Sequence, residues 1–324
     1  MQKLILIGAS AGGVAALAAV TAALPADLPA TVLIVMHIGA RRSVLPEILQ
    51  RTCQLPVSHA KDCALLLPGS ILVAPPDYHL TVELHEGQPR ARLWHGPKEN
   101  YTRPAIDPLF RSAATAFDGH VIGAILTGYL DDGTSGLQAI KACGGQVIVQ
   151  DPNEAQVPDM PASAISNVAV DHVLRIADIG PLLAILAARI DAPAPGPVQA
   201  PPWVDVENRW LQGRAGIAEL ARIGQPSGYT CPECGGALWQ IAGTVPPRFR
   251  CHTGHAFTAR ALAAQQRQAV EEALWSALRA LQEQLRLEQE LLHPDLQHTG
   301  KLERDIATLQ TMLAHGNDGA GAID

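Results

Sequence analysis

Charge is scarce in this chain. Only 17% of its 324 residues are Asp, Glu, Lys or Arg, below the quarter typical of globular domains, while 48% are hydrophobic. Positive charge is scarcer still: 24 Lys and Arg face 31 Asp and Glu, a net charge of −7. Nucleic acids bind cationic faces, so the composition gives such a role no support. No internal repeat is visible. The apolar stretch at 4–24 follows Lys3 and invites a membrane or signal reading, but three glycines at 8, 12 and 13 argue against a spanning helix. No stop-transfer charge cluster follows it. A second strand-like run, Ala30 to Met36, follows instead, as in a βαβ unit. The expectation is a cytoplasmic protein without membrane insertion, its thiols reduced.

What is present is a long alternation of strand and helix signals. Strand-like runs are Lys3–Gly8, Thr31–Met36, Ser70–Ala74, Val121–Leu126 and Gln146–Gln150; helical stretches are Gly13–Ala23, Ser43–Arg51, Asp107–Ala116 and Ser135–Cys143. The alternation predicts an α/β fold, a doubly wound and mainly parallel sheet with helices on both faces. Leu80–Leu84 and Pro89–Trp94 read as a hairpin inserted into the sheet layer. Composition divides the chain into a catalytic-type domain at 1–190, a Pro/Ala-rich linker at 191–206, a cysteine module at 207–257, and a helical hairpin with a tail at 258–324. The two terminal helices are expected at about 258–292 and 299–314, split at His293-Pro294. Leu274, Leu278, Leu281 and Leu285 form one stripe, and Leu302, Ile306, Leu309 and Leu313 another. The stripes cover each other or form a homodimer or partner contact.

Ser10 sits in a glycine-rich strand-to-helix turn, Gly8-Ala9-Ser10-Ala11-Gly12-Gly13. Such a turn suits a nucleophile or a phosphate. For a dinucleotide, the glycine spacing is wrong, no acid ends the second strand, and no Walker lysine follows. For a nucleophile, His37 lies just past the second strand and Asp132 in the loop after the Val121–Leu126 strand. All three then fall at the carboxyl edge of one sheet, where a Ser-His-Asp triad is recognised by role and not by chain order.

At this point several stretches match a family. The turn around Ser10, Val35-Met36-His37 and Ala74-Pro75-Pro76-Asp77-Tyr78-His79-Leu80 resemble the catalytic domain of the chemotaxis protein-glutamate methylesterases (CheB). So do Arg103-Pro104-Ala105-Ile106-Asp107, Leu126-Thr127-Gly128 with Asp132-Gly133, and Gln150-Asp151 with Met160-Pro161. The resemblance runs in order over nearly all of 1–185. It implies hydrolysis of γ-glutamyl methyl esters on methylated chemoreceptors or related signalling proteins, with glutamine deamidation as a second activity and no catalytic cofactor. The family's serine, histidine and aspartate match Ser10, His37 and Asp132; Asp131 holds a position that varies within it. Backbone N–H groups at Ala11 and Tyr129 are candidates for an oxyanion hole. The sequence departs from the family at Ala11, usually Thr, and at Tyr129-Leu130, usually Met-Gly. The resemblance starts at the first strand, so a standalone form without the family's receiver domain is expected. The competing readings are a signalling adaptor that kept the fold and binds through its C-terminal half, and a small-molecule carboxylesterase.

The C-terminal half carries Cys231-Pro-Glu-Cys234, sixteen residues, then Cys251-x-x-x-His255. Two such pairs make a closed tetrahedral site, so a structural zinc on Cys231, Cys234, Cys251 and His255 is expected. His252 is the rival ligand, and disulfides are the rival chemistry. Cys53, Cys63 and Cys143 read as small core residues.

Overall fold

A computed structural model describes residues 2–117, 119–189, 200–290 and 296–318. The chain divides into two compact units, Met1–Ala261 and Leu262–Asp324.

The first unit is built on β1 (Lys3–Ala9), α1 (Gly13–Ala22), β2 (Ala30–Met36), α2 (Leu45–Gln50), β3 (Val57–His59) and β4 (Ser70–Val73). It continues through β5 (His79–His85), β6 (Gln88–Trp94), α3 (Ile106–Phe117), β7 (Val121–Ile125) and α4 (Thr134–Ala142). β8 (Gln146–Gln150), α5 (Asp159–Asn167), β9 (His172–Leu174) and α6 (Ile176–Ala188) complete the α/β part. Seven strands pair in parallel in the order β3-β4-β2-β1-β7-β8-β9. β1 is buried along its whole length and sends Leu4 and Leu6 into one core, Ile5 and Ile7 into the other. That period-2 division, with apolar residues on both faces, is what a strand covered by helices on each side requires. The strand order reverses between β1 and β7, so the carboxyl ends of β2, β1 and β7 open together, the position where such sheets carry their sites.

Two expectations change here. The β5–β6 hairpin forms its own two-stranded antiparallel sheet and is not inserted into the main one. Its Leu80, Val82 and Ala91 pack into the same core as Phe110 of α3, and Val82 N–H donates to Ser112 Oγ at 3.0 Å. Cys53 and Cys143 are buried, but Cys63 is exposed and adopts a positive φ of 61°, a turn position instead of a core one.

Residues 191–199 of the expected linker, and His293-Pro294, lie outside the described residues. The described chain continues with α7 (Pro202–Leu211), α8 (Ile217–Ile223) and an antiparallel sheet of β10 (Gly224–Thr230), β11 (Ala237–Ile241), β12 (Arg248–Cys251) and β13 (Ala256–Thr258). The composition-based boundary near 190 is not where contacts divide, because Trp203, Val204, Trp210, Leu220 and Ile241 join the core that holds Leu4 and Phe110. Five charged side chains cross the same junction. Arg111 grips Glu99 with both guanidinium nitrogens at 2.9 Å; Arg250 Nη2 lies 2.9 Å from Glu99 and 3.1 Å from Glu207; Arg248 also bonds Glu207. All five side chains are at most 2% exposed. The carboxylates stay charged: burial raises Glu99 and Glu207, but the facing arginines outweigh it and hold both below the ordinary glutamate range.

α9 (Ala259–Glu290) crosses the boundary between the units; with α10 (Leu296–Asp318) it forms the helical hairpin. Leu278, Leu302 and Leu313 are buried and Leu274, Leu281, Leu285, Ile306 and Leu309 half-buried, so the expected stripes are the covered faces. Glu288 pairs with His298 across the hairpin at 3.0 Å. Among the described residues no helix is long and apolar enough to cross a membrane.

Candidate active site

Three adjacent strands deliver the three expected residues. Ser10 leaves β1 through a turn anchored by its own N–H on Thr127 O at 2.9 Å. Gly12, at φ 76°, starts α1 where a Cβ would meet the Gln156 side chain. Gly128 is required for a different reason: a Cβ there would run into Met160 and the Cβ of Ser10. His37 follows β2 and is tied back by its N–H to Ala9 O at 3.3 Å.

The side chains meet. His37 Nδ1 lies 3.1 Å from Ser10 Oγ, and His37 Nε2 lies 2.7 Å from Asp132 Oδ2. The two ring nitrogens exchange the roles they have in the familiar triad template. Asp132 is buried and richly held: Ile106 N–H donates to Oδ2 at 2.7 Å, and Asn100 Nδ2 and Gly133 N–H donate to Oδ1 at 2.9 and 3.0 Å. Burial pushes this carboxyl up, but the bonds from His37, Ile106 and Asn100 outweigh it and hold it below its ordinary value. Asp107, buried beside it, is pushed the other way by burial and by the Asp132 charge. One carboxylate is thus kept ionised against the imidazole while its neighbour is shifted toward the neutral form.

Ser10, Ala11, Gly12, His37 and Gln156 line an open cleft of about 490 Å³. Among the described residues no acceptor takes the N–H of Ala11 or of Tyr129, and the Tyr129 side chain is 63% exposed. Leu130 follows at φ 63°, a strained conformation for a branched residue. Next in the chain, Asp131 accepts Thr258 Oγ1–H at 2.6 Å. His79 is buried and locked neutral: Nε2–H donates to Pro97 O at 3.0 Å, Nδ1 accepts Ala105 N–H at 3.2 Å, and burial lowers it to about 4. Asn100 and Thr258 were not singled out in the sequence. Asn is at home in the left-handed region, as at Asn100 φ 50°, but only the three-dimensional placement reveals what its amide touches.

In the cysteine module the ligand atoms of Cys231, Cys234, Cys251 and His255 all lie within 4.8 Å of one another. Cys234 Sγ to Cys251 Sγ is 3.7 Å, and His255 Nδ1 is 3.8 Å from Cys231 Sγ and 3.6 Å from Cys251 Sγ. A zinc tetrahedron with bonds of about 2.0–2.3 Å has edges of about 3.3–3.8 Å, the range of these three separations, and three thiols with an imidazole are a donor set that suits zinc. His252 is exposed and lies over Gly236, outside the cluster. None of the three cysteines is in a disulfide.

A parallel α/β sheet with a hydrogen-bonded Ser-His-Asp cluster at its carboxyl edge places this chain in the class of α/β proteins with a hydrolase-like site. The CheB methylesterase family profile matches residues 5–183, more than half of the chain, and the chain belongs to that family. A Leptospira interrogans relative, provisionally named a protein-glutamate methylesterase/protein-glutamine glutaminase, is 38% identical over 179 residues, 55% of this chain and 91% of the relative. The protein-glutamate methylesterase/protein-glutamine glutaminase of Maricaulis maris is 36% identical over 180 residues, 55% of this chain and 45% of that protein. The chain therefore spans about half the length of that second relative. The crystal structure of the Thermotoga maritima CheB methylesterase catalytic domain is similar with a TM-score of 0.56 and 34% identity, covering 57% of this chain and 99% of that one.

Proposed function

We propose that this protein is a serine hydrolase that removes methyl esters from glutamyl side chains of chemoreceptor-like proteins, and deamidates glutamine by the same route. The reading is carried by the unbroken hydrogen-bond chain Ser10–His37–Asp132, at 3.1 and 2.7 Å, in a member of a methylesterase family. His37 Nδ1 takes the Ser10 proton as Oγ attacks the ester carbonyl. The Ala11 and Tyr129 N–H groups, which have no acceptor among the described residues, receive the oxyanion. As the tetrahedral intermediate collapses, the imidazolium gives its proton to the leaving methoxide oxygen, which departs as methanol, or to the glutamine amide nitrogen, which departs as ammonia. Water, deprotonated by His37, then attacks the acyl carbonyl; the acyl–Oγ bond breaks, the imidazolium returns the proton to Ser10 Oγ, and the glutamyl side chain is released as a carboxylate. Asp132 holds the Nε2–H tautomer and stabilises the transient cation.

Incubation with a methylated receptor fragment tests this: methanol release that scales with enzyme is the expected result. Binding of the fragment without methanol or ammonia release would favour the adaptor reading, and turnover of small esters alone would favour the carboxylesterase.

The cysteine cluster is proposed to hold one structural zinc, whose role is to fix the module's fold. Elemental analysis is expected to give one zinc per chain, falling in proportion when Cys251 is replaced by serine. Zinc-free protein with a Cys231–Cys234 disulfide would overturn this.

A further inference from the structure

The cysteine module reaches the Asp132 carboxylate. β13 follows the fourth cluster residue, His255, directly, and its Ala256 lies against the loop 98–102: Ala256 N–H donates to Lys98 O at 3.2 Å, and Asn100 N–H donates to Ala256 O at 2.8 Å. In that loop both Asn100 and Tyr101 have positive φ, 50° and 66°. Two consecutive non-glycine residues in this region persist only where surrounding contacts over-determine them, and β13 supplies them at Asn100.

The side chains are more specific. Thr258 N–H donates to Asn100 Oδ1 at 3.0 Å. With its oxygen so occupied, the Asn100 amide must turn Nδ2 toward the carboxylates, and it donates to Asp132 Oδ1 at 2.9 Å and Asp107 Oδ2 at 3.2 Å. Thr258 Oγ1 accepts Ala261 N–H at 3.1 Å and gives its own proton to Asp131 Oδ1. Among the described residues the other Asp131 oxygen is buried without a hydrogen-bond partner, so Thr258 supplies the hydroxyl that fixes the residue before Asp132.

We propose that Asn100 and Thr258 are positioning residues for Asp132, so that β13 of the cysteine module completes the wall of the active site. Asn100 sets the carboxylate that receives His37, and Thr258 sets both the Asn100 amide and the Asp131–Asp132 peptide. The module is then a part of the hydrolase and not an appendage tethered to it. This inference rests on the hydrolase reading, and the test separates the two.

Full-length wild type, Thr258→Val, Thr258→Ser and Asn100→Asp are compared on a small glutamyl methyl ester. Thr258→Val is expected to lower kcat about 10²-fold with little change in KM, the size of effect a small misplacement of a catalytic group produces. Thr258→Ser, which keeps the hydroxyl, restores most of it. Asn100→Asp, which turns a donor into an acceptor facing two carboxylates, is expected to lose at least as much. Hydrogen exchange at the Ile106 and Gly133 amides, both bonded to Asp132, gives a readout that needs no turnover. It is expected to quicken in Thr258→Val while the β7–β8 ladder is unchanged. A wild type without esterase activity defeats the hydrolase reading alone. Unchanged kcat in Thr258→Val, or unchanged exchange at those two amides, overturns the positioning role. If Thr258→Val does not fold, Asn100→Asp decides by the same two readouts.

Discussion

Replacing Ser10 with alanine is expected to lower ester hydrolysis by roughly 10³ to 10⁶-fold, the range over which a covalent nucleophile operating with its base is lost. The expectation follows from geometry: Ser10 Oγ is the hydroxyl that His37 Nδ1 faces, at 3.1 Å, and Asp132 backs the same ring at 2.7 Å. Asp132→Asn should lower kcat by about 10⁴, because the amide can present an N–H to Nε2 and favour the wrong tautomer. His37→Ala should approach the Ser10→Ala value instead of multiplying with it, since the two act as one unit. Methanol release measured at fixed enzyme concentration checks all three. Because the Ser10 side chain packs at the surface of the sheet edge, thermal unfolding of Ser10→Ala should match wild type; a variant with wild-type turnover would remove Ser10 from the chemistry.

Glu207→Gln is expected to destabilise the Met1–Ala261 unit by about 3–5 kcal/mol, the usual effect of removing one partner from a buried ion network. Three arginines, Arg111, Arg248 and Arg250, share two carboxylates there, and Gln would leave them with Glu99 alone. None of the five side chains reaches water, so solvent does not rescue the uncompensated charge. The effect carries a pH signature. Glu207 is held below its ordinary value in the folded chain, despite burial, by the facing arginines. Its contribution is therefore complete above the unfolded glutamate value, about 4.3, and is lost as pH falls toward the lower folded value. The wild-type-minus-variant stability difference should be flat near neutrality and shrink below about pH 5. Equal unfolding midpoints at pH 7 would refute the network's role.

The parallel core and the proposed triad were legible from local pattern. β1 is buried throughout and apolar after Lys3; Ser10 and His37 follow β1 and β2 directly and Asp132 lies in the loop after β7, so chain order put all three at one edge. The short edge strands Val57–His59 and His172–Leu174 carry three residues each, half of them polar, too little periodicity to read. The joining of module and sheet was hidden for a different reason. A proline-rich stretch reports stiffness, not what the next elements pack on. Glu207, Arg248 and Arg250 look like solvated surface charges because their partners lie far along the chain, Glu99 being 151 positions from Arg250. Likewise nothing local marks Thr258, 127 positions from the aspartate it bonds.

That long separation sets an order of events during synthesis. Domains fold largely as the N-terminal part of the chain emerges. The parallel sheet is complete in sequence once Leu174 has been made, with Ser10, His37 and Asp132 all present. Glu99 and Arg111 can already pair with each other at that stage, whereas Glu207, Arg250 and Thr258 have yet to be translated. The nascent sheet therefore waits, with an unfinished face beside its aspartate loop, for the last strand of the module. A chain interrupted anywhere between residues 190 and 258 would carry Ser10, His37 and Asp132 without the strand that bonds Asn100 and Asp131.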